Sequence, residues 1–219
     1  MKVDKKDMLL YAVTDRAWTG NQTLIEQVEE ALKGGVTFVQ LREKALDYDS
    51  FLQEALEIKK LTDTYKVPFV INDNVEIALA SGADGVHVGQ EDLPVATVRS
   101  MIGLDKILGV STQTVEQAIE AEQSGADYLG VGSVFPTGTK HDATPMTFKM
   151  VQDICQAVSI PVVAIGGINE TNIHELNGSG VDGVAVVSAI FAKPDIARSC
   201  KVLRDLSTKM TQEKERLPK

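Results

Sequence analysis

Basic residues are in deficit. The 219-residue chain carries 22 Lys and Arg against 31 Asp and Glu, a net charge of −9. That surplus repels nucleic acid and anionic membrane, so neither is an expected partner. Taken alone it also argues against small anionic substrates. Cysteine is nearly absent. Cys155 and Cys200 are too few for a disulfide framework at this length and read as buried or idle thiols. Reduced thiols fit the cytoplasm. No apolar run approaches the ~18 residues of a membrane span. The segment Met1 to Asp7 mixes Lys with Asp, with no apolar leader stretch. His87, His141 and His174 lack zinc-ligand spacing, and no Ser-His-Asp arrangement is visible. No lysine falls inside a candidate strand, which weakens a Schiff-base aldolase reading.

What remains is an ordinary globular composition, 43% hydrophobic and 24% charged. The length predicts a single domain over residues 1–219. Short apolar, β-branched runs begin near Leu9, Phe38, Pro68, Gly85, Ile107, Tyr128, Pro161 and Gly183. They are apolar throughout, as in parallel strands buried on both faces. Segments of helical spacing lie between them. Thr23 with Glu26 forms a capping-box pattern, and Gly34-Gly35 ends that helix. Helices are also expected over Asp49 to Tyr65, Thr114 to Ser124 and Thr147 to Ala157. Those after the third and seventh runs are shorter. The core is expected over about residues 9–192. A C-terminal helix follows Pro194, then a frayed polar tail from Thr208 to Lys219.

GGVTFVQLR, SGADGVHVG, SGADYLGVG and SGVDGVAVV precede the second, fourth, sixth and eighth runs. A repeat of two strand–helix units, present four times, predicts fourfold pseudo-symmetry and closure into a (β/α)8 TIM barrel, class α/β. An open doubly wound sheet is the rival. At this length insertions must be few.

Such a barrel carries its chemistry at the C-terminal strand ends. Gln40, Arg42 and Lys44 fall at period 2 and point to one side, so an anion is expected there. A plainer reading makes this a surface strand end with Glu43 as ion-pair partner. Lys140, in a Gly- and Thr-rich loop, is a further candidate phosphate contact. Asp73 and Asp92 follow adjacent strands and make a hard oxygen site suited to Mg2+; a turn residue and a helix cap are the plainer alternatives. Gly166-Gly167 after the seventh run and Val187-Ser188 after the eighth match the place where barrels bind phosphate through backbone N–H groups. Two anion regions on opposite arcs suit two phosphorylated substrates and a diphosphate leaving group. The acidic surplus is then assigned to the helical exterior, at Glu26, Glu29, Glu30, Glu54, Glu57, Glu116, Glu120 and Glu122. His87, inside the fourth run, reads as a core or mouth histidine.

YAVTD, QLREK, FVINDN, GVHVGQEDLP, GVST, PTGTK, AIGGI and VVSAI occur in the order found in the thiamine phosphate synthase family. The chain resembles that family from about Tyr11 to Phe191. The resemblance implies a magnesium-dependent transferase of thiamine biosynthesis with one Mg2+ per subunit. It would join hydroxymethylpyrimidine diphosphate to thiazole phosphate by a dissociative route. Carried over by motif, Gln40, Arg42, Lys44, Asn72, Ser111 and Lys140 contact the pyrimidine diphosphate. Arg42, Lys44, Ser111 and Lys140 are the catalytic set. Asp73 and Asp92 ligate the metal. Thr137, Gly138, Thr139, Gly167, Val187 and Ser188 hold the thiazole phosphate. Gln113 departs from the family, where His is common. A sister tautomerase and a non-catalytic phosphate-ligand sensor are the alternatives on the same barrel. The resemblance leaves room for a homo-oligomer.

Overall fold

The computed structural model describes residues 3–137 and 146–214, with side chains through 212. Eight parallel strands run in chain order: β1 (Leu10–Val13), β2 (Phe38–Leu41), β3 (Phe69–Asn72), β4 (Gly85–Val88), β5 (Ile107–Thr112), β6 (Tyr128–Val131), β7 (Val162–Ile165) and β8 (Gly183–Val186). Each pairs with the next, and β8 returns to β1, so the barrel is closed as the repeat predicts. An open sheet is excluded.

Outside the strands lie α1 (Leu24–Lys33), α2 (Tyr48–Tyr65), α3 (Val75–Ala80), α4 (Val95–Ile102), α5 (Val115–Gln123), α6 (Phe148–Ala157), α7 (Ser188–Phe191) and α8 (Ile196–Lys214). Between β7 and β8 the helical segment is only a 3₁₀ turn, Ile173–Leu176. The capping box at Thr23 is present in both directions, and Gly34 closes α1. The tail departs from expectation. Helix α8 continues to Lys214, well past Thr208, because Leu203, Ser207 and Met210 recur at helical spacing and are buried. Among the described residues no helix is long and apolar enough to cross a membrane.

The strands look uniformly apolar, yet they alternate. Leu10, Ala12, Val39 and Leu129 pack outward against the helices. Tyr11, Val13, Phe38, Val70, Ile107, Tyr128, Val163 and Ala185 fill the barrel, with Met8 among them. Gly109 lets this filling fit. A Cβ there would stand 2.2 Å from the Tyr128 ring and 2.5 Å from His87 Nδ1. Cys200 is buried, and burial pushes its thiol up to about 12, the inert thiol the sequence suggests.

The fourfold repeat has a physical role. In each copy the residue ahead of an even strand accepts, through its side chain, the N–H that opens the preceding odd strand. Thr37 Oγ1 takes Leu10 N at 2.9 Å, and Asp84 Oδ2 takes Phe69 N at 2.9 Å. Asp127 Oδ2 takes Leu108 N, one residue into β5, at 2.8 Å, and Asp182 Oδ2 takes Val162 N at 3.0 Å. The same four residues donate their own N–H groups back to Leu10, Phe69, Leu108 and Val162. Each clasp closes one strand pair at its N-terminal end. Cations steady the acidic ones: Lys59 on Asp84, Arg99 on Asp127 and Lys5 on Asp182.

The turn after β2 is set by Glu43. Its side chain is buried. It accepts Lys44 N at 2.7 Å, Ala45 N at 2.9 Å and Arg16 Nε at 2.8 Å. Arg16 also forks onto Glu54, both contacts at 2.8 Å. Glu54 is therefore not a free exterior charge, as its helix position suggests. Glu43 pairs with Arg16 rather than with the cations beside it. Burial works against its charge. The two N–H groups and the Arg16 guanidinium outweigh that and hold its carboxyl below the usual glutamate range.

Two outcomes follow for stability. Asp127→Ala strands the Leu108 N–H and takes one charged acceptor from Arg99, whose guanidinium keeps the Gly103, Lys106 and Gly125 carbonyls, so urea unfolding should show a loss of about 2 kcal/mol; an unchanged midpoint would contradict a stabilising role for the clasp. Glu43 has a depressed folded-state pKa, so its contribution is present above the ordinary glutamate value and fades as pH falls through the folded one. Glu43→Gln should therefore cost about 2 kcal/mol at neutral pH. Its deficit against the parent should shrink in acid, and an equal deficit at both pH values contradicts the assignment.

Candidate active site

Gln40 is the last inward residue of β2. Its side chain donates to the Tyr11 hydroxyl at 2.5 Å. The strand stops at Leu41, so the period-2 alignment does not carry Arg42 and Lys44 along with it. The backbone curls around Glu43 instead, and the two cations splay. Arg42 turns to β1, where its N–H donates to Thr14 Oγ1 at 2.9 Å and its guanidinium lies 3.4 Å from Asp15 Oδ2. Lys44 turns to β3 and places Nζ 2.5 Å from Asp73 Oδ2. Both cations expected to await an anion hold a carboxylate.

Asn72 closes β3 beside His87 of β4. Asp73 follows with φ of 62°, in the left-handed region that few non-glycine residues adopt. Its N–H donates to His87 O at 2.8 Å, which holds the turn. Asp92 folds back on its own loop and accepts Gly89 N at 2.7 Å. It does not cap α4, whose first turn has Pro94 ahead of it and no side-chain cap. Burial pushes the Asp92 carboxyl up against the Gly89 N–H, and the Asp73 carboxylate within hydrogen-bonding reach adds to the rise. Asp73, Asp92 and Lys44 thus share one charged spot over β2 to β4. Among the described residues no group of three or more His, Cys, Asp or Glu side chains gathers there or elsewhere.

Ser111 lies inside β5, its Oγ 2.9 Å from His87 Nε2. Its carbonyl accepts Gln90 Nε2 at 2.7 Å, tying the β4 loop to β5. Gln113 reaches Gly132 O at 3.3 Å and joins the β5 and β6 exits.

Across the mouth the β6 and β7 exits are stitched together. Val134 N donates to Ile165 O and Phe135 N to Gly166 O, both at 3.0 Å. A Cβ on Gly167, whose φ is 65°, would meet Pro136 O at 2.4 Å, so only glycine allows this approach. Thr137 follows Pro136 directly and belongs to this arc. Val187 precedes α7 and Ser188 opens it, where the first N–H groups have no intrahelical acceptor. Gly138, Thr139 and Lys140, with His141, lie outside the described residues.

The sequence reading missed Tyr11 and Tyr128. They join Gln40 to His87 through the barrel interior, with hydroxyls 2.7 Å apart and Tyr128 OH 2.9 Å from His87 Nδ1. The only signal was a polar-tipped aromatic at an inward position of two strands. His87 turns out to be both a core and a mouth residue.

Residues 10–190 match the family model for thiamine monophosphate synthase. A thiamine-phosphate synthase of Ruminiclostridium cellulolyticum is 53% identical over 202 residues, spanning 92% of this chain and 96% of the relative. One from Clostridium botulinum is 50% identical over 92% of this chain and 95% of its own length. The solved structure of thiamine phosphate pyrophosphorylase from Pyrococcus furiosus superposes with a TM-score of 0.87 at 39% identity, covering 94% of this chain and 98% of that one. Fold, motif order and kinship agree, and the chain belongs to the thiamine monophosphate synthase family.

Proposed function

We propose that this chain catalyses the thiamine-phosphate synthase reaction. The methylene carbon of hydroxymethylpyrimidine diphosphate is transferred to the ring nitrogen of thiazole phosphate, and diphosphate is released. One observation carries the reading. A single barrel mouth has a cation-and-carboxylate arc over β2 to β4 and a glycine-rich arc with a helix start over β6 to β8. A diphosphate needs the first arc. A phosphate monoester is served by the second.

In this reading the methylene C–O bond breaks and its electron pair leaves with diphosphate. The thiazole nitrogen lone pair then forms the C–N bond. No proton has to be removed. Arg42 and Lys44 exchange Asp15 and Asp73 for diphosphate oxygens, and Lys140 adds a third cation. Preorganised charge of this kind acts where negative charge develops. Gln40, Asn72 and Ser111 orient the pyrimidine diphosphate. Thr137, Gly138, Thr139, Gly167, Val187 and Ser188 hold the thiazole phosphate, so that the two substrates meet in line.

Asp73 and Asp92 fit Mg2+. The pair already keeps a cation, Lys44, on one carboxylate. Among the described residues no third His, Cys, Asp or Glu completes a metal-holding group there, and a pair of carboxylates suits an ion that fills its shell with water and phosphate oxygens. When bound, Mg2+ supplies positive charge to the leaving diphosphate. Two cysteines outside any disulfide fit a cytoplasmic location.

Purified protein given both substrates and Mg2+ should release thiamine phosphate and diphosphate in equal amounts. Either substrate alone should give none, and chelator should stop turnover until Mg2+ is restored. Thiazole isomerisation indifferent to chelator, or binding without turnover, would replace the reading with a tautomerase or a sensor. Arg42→Ala should lower kcat/KM by roughly a hundredfold, the usual cost of one donor to a developing anion. Asp73→Ala should raise the Mg2+ concentration needed for half-maximal activity; unchanged Mg2+ dependence would clear Asp73 of the metal role.

A further inference from the structure

A buried hydrogen-bond chain crosses the barrel from Gln40 on β2 through Tyr11 on β1, Tyr128 on β6 and His87 on β4 to Ser111 on β5. Its links measure 2.5, 2.7, 2.9 and 2.9 Å. The members come from five strands. Both ends belong to the set assigned above to the pyrimidine diphosphate. No role proposed so far uses the three middle members.

The direction of donation can be worked out link by link. Gln40 Nε2 can only donate, so the Tyr11 oxygen accepts. The Tyr11 hydrogen then has one remaining neighbour, the Tyr128 oxygen. Tyr128 accepts there and must send its own hydrogen to His87 Nδ1. An Nδ1 that accepts carries no proton, so the neutral imidazole bears it on Nε2. That N–H donates to Ser111 Oγ. With a lone pair of Ser111 thus engaged, its own O–H is free to donate. Burial pushes the hydroxyl pKa values of both tyrosines up, so each stays a protonated donor.

The opposite order has a distinct consequence. If Gln40 turned its carbonyl to Tyr11, every link would reverse. His87 would carry its proton on Nδ1 and take the Ser111 hydrogen on Nε2. Ser111 would then offer lone pairs to an incoming phosphate oxygen, which repel it. Only the first order leaves a donor at the mouth.

We propose that Tyr11, Tyr128 and His87 are positioning residues. The two tyrosines hold His87 as the neutral Nε2–H tautomer, and His87 thereby turns the Ser111 hydroxyl outward as a donor to an anionic phosphate oxygen of the pyrimidine diphosphate. The proposal rests on the reading that Ser111 faces that substrate, but the tautomer does not.

Nitrogen NMR of 15N-histidine-labelled protein without substrate tests the order directly. The His87 signals are assigned by their loss in His87→Asn. A protonated Nε2 and an unprotonated, hydrogen-bonded Nδ1 are expected. Tyr128→Phe removes the donor to Nδ1 and should give a mixture of tautomers. Ile107→Val, a packing change in the same core that touches no link, should keep the single tautomer. With substrates, Tyr128→Phe and Ser111→Ala should each lower kcat/KM for the pyrimidine diphosphate about tenfold. The double variant should lose little more, as expected of residues acting through one another. A wild-type Nδ1–H tautomer, an imidazolium, a tautomer unmoved by Tyr128→Phe, or fully additive losses would overturn the proposal. If the synthase reaction is absent while the Nε2–H tautomer is present, the proposed function fails and the order of the chain stands.

Discussion

Strand register is the constraint on which this barrel rests. Side chains alternate with period 2, so a slip of one residue would turn Tyr11 and Tyr128 into the helix layer and drive Leu10 and Leu129 inward. The clasps by Thr37, Asp84, Asp127 and Asp182 forbid that slip at every second seam. They act at the N-terminal end of the strands, away from the mouth. Once register is set below, heights are set above. Gln40 comes level with Val13, Asn72 with His87 and Ser111 with Gly130. The candidate site inherits its geometry from contacts it does not share.

The barrel interior follows from the same alignment. Tyr11, Phe38 and Tyr128 stack at tilted and edge-on angles, with ring centroids between 4.6 and 5.9 Å apart. The two hydroxyls they bring in need partners, since an unpaired buried hydroxyl is costly. His87 and Gln40 supply them. Gly109 and Gly130 leave room, for a Cβ on the latter would stand 3.2 Å from the His87 ring. An apolar floor thus passes into a polar mouth through one connected set of groups.

Much of this was legible in the sequence, for particular reasons. Continuous apolar runs and a capping box are local signals, and Thr23 with Glu26 needs only a span of three residues. The repeat was legible as a symmetry. Its purpose was not, because Asp84 meets Phe69 only when the strands lie side by side. The strand pattern puts Gln40, Asn72 and Ser111 near the C-terminal ends of their strands, where they lie. It missed the splay of Arg42 and Lys44, since Glu43 breaks the strand by capturing two backbone N–H groups. The Tyr11–Tyr128 contact joins residues 117 apart, and no periodicity reports such a pair. The C-terminal tail is polar in composition but helical in spacing: Ser207 and Met210 fall on the buried stripe of α8.

The pairs Arg42–Asp15 and Lys44–Asp73 have a consequence for how a ligand arrives. At a distance each pair cancels, and what remains is the salt-screened field of a chain with net charge −9. That field does not draw a polyanion in. On the proposed function, attraction by Arg42 and Lys44 would begin at contact, when phosphate oxygens compete with carboxylates for cations already in place. Capture at these two cations would, on the proposed function, be an exchange of ionic partners rather than a long-range pull. On that reading a stray anion that cannot displace both carboxylates would gain little by entering, and the mouth would select by competition where an open basic patch would select by charge alone.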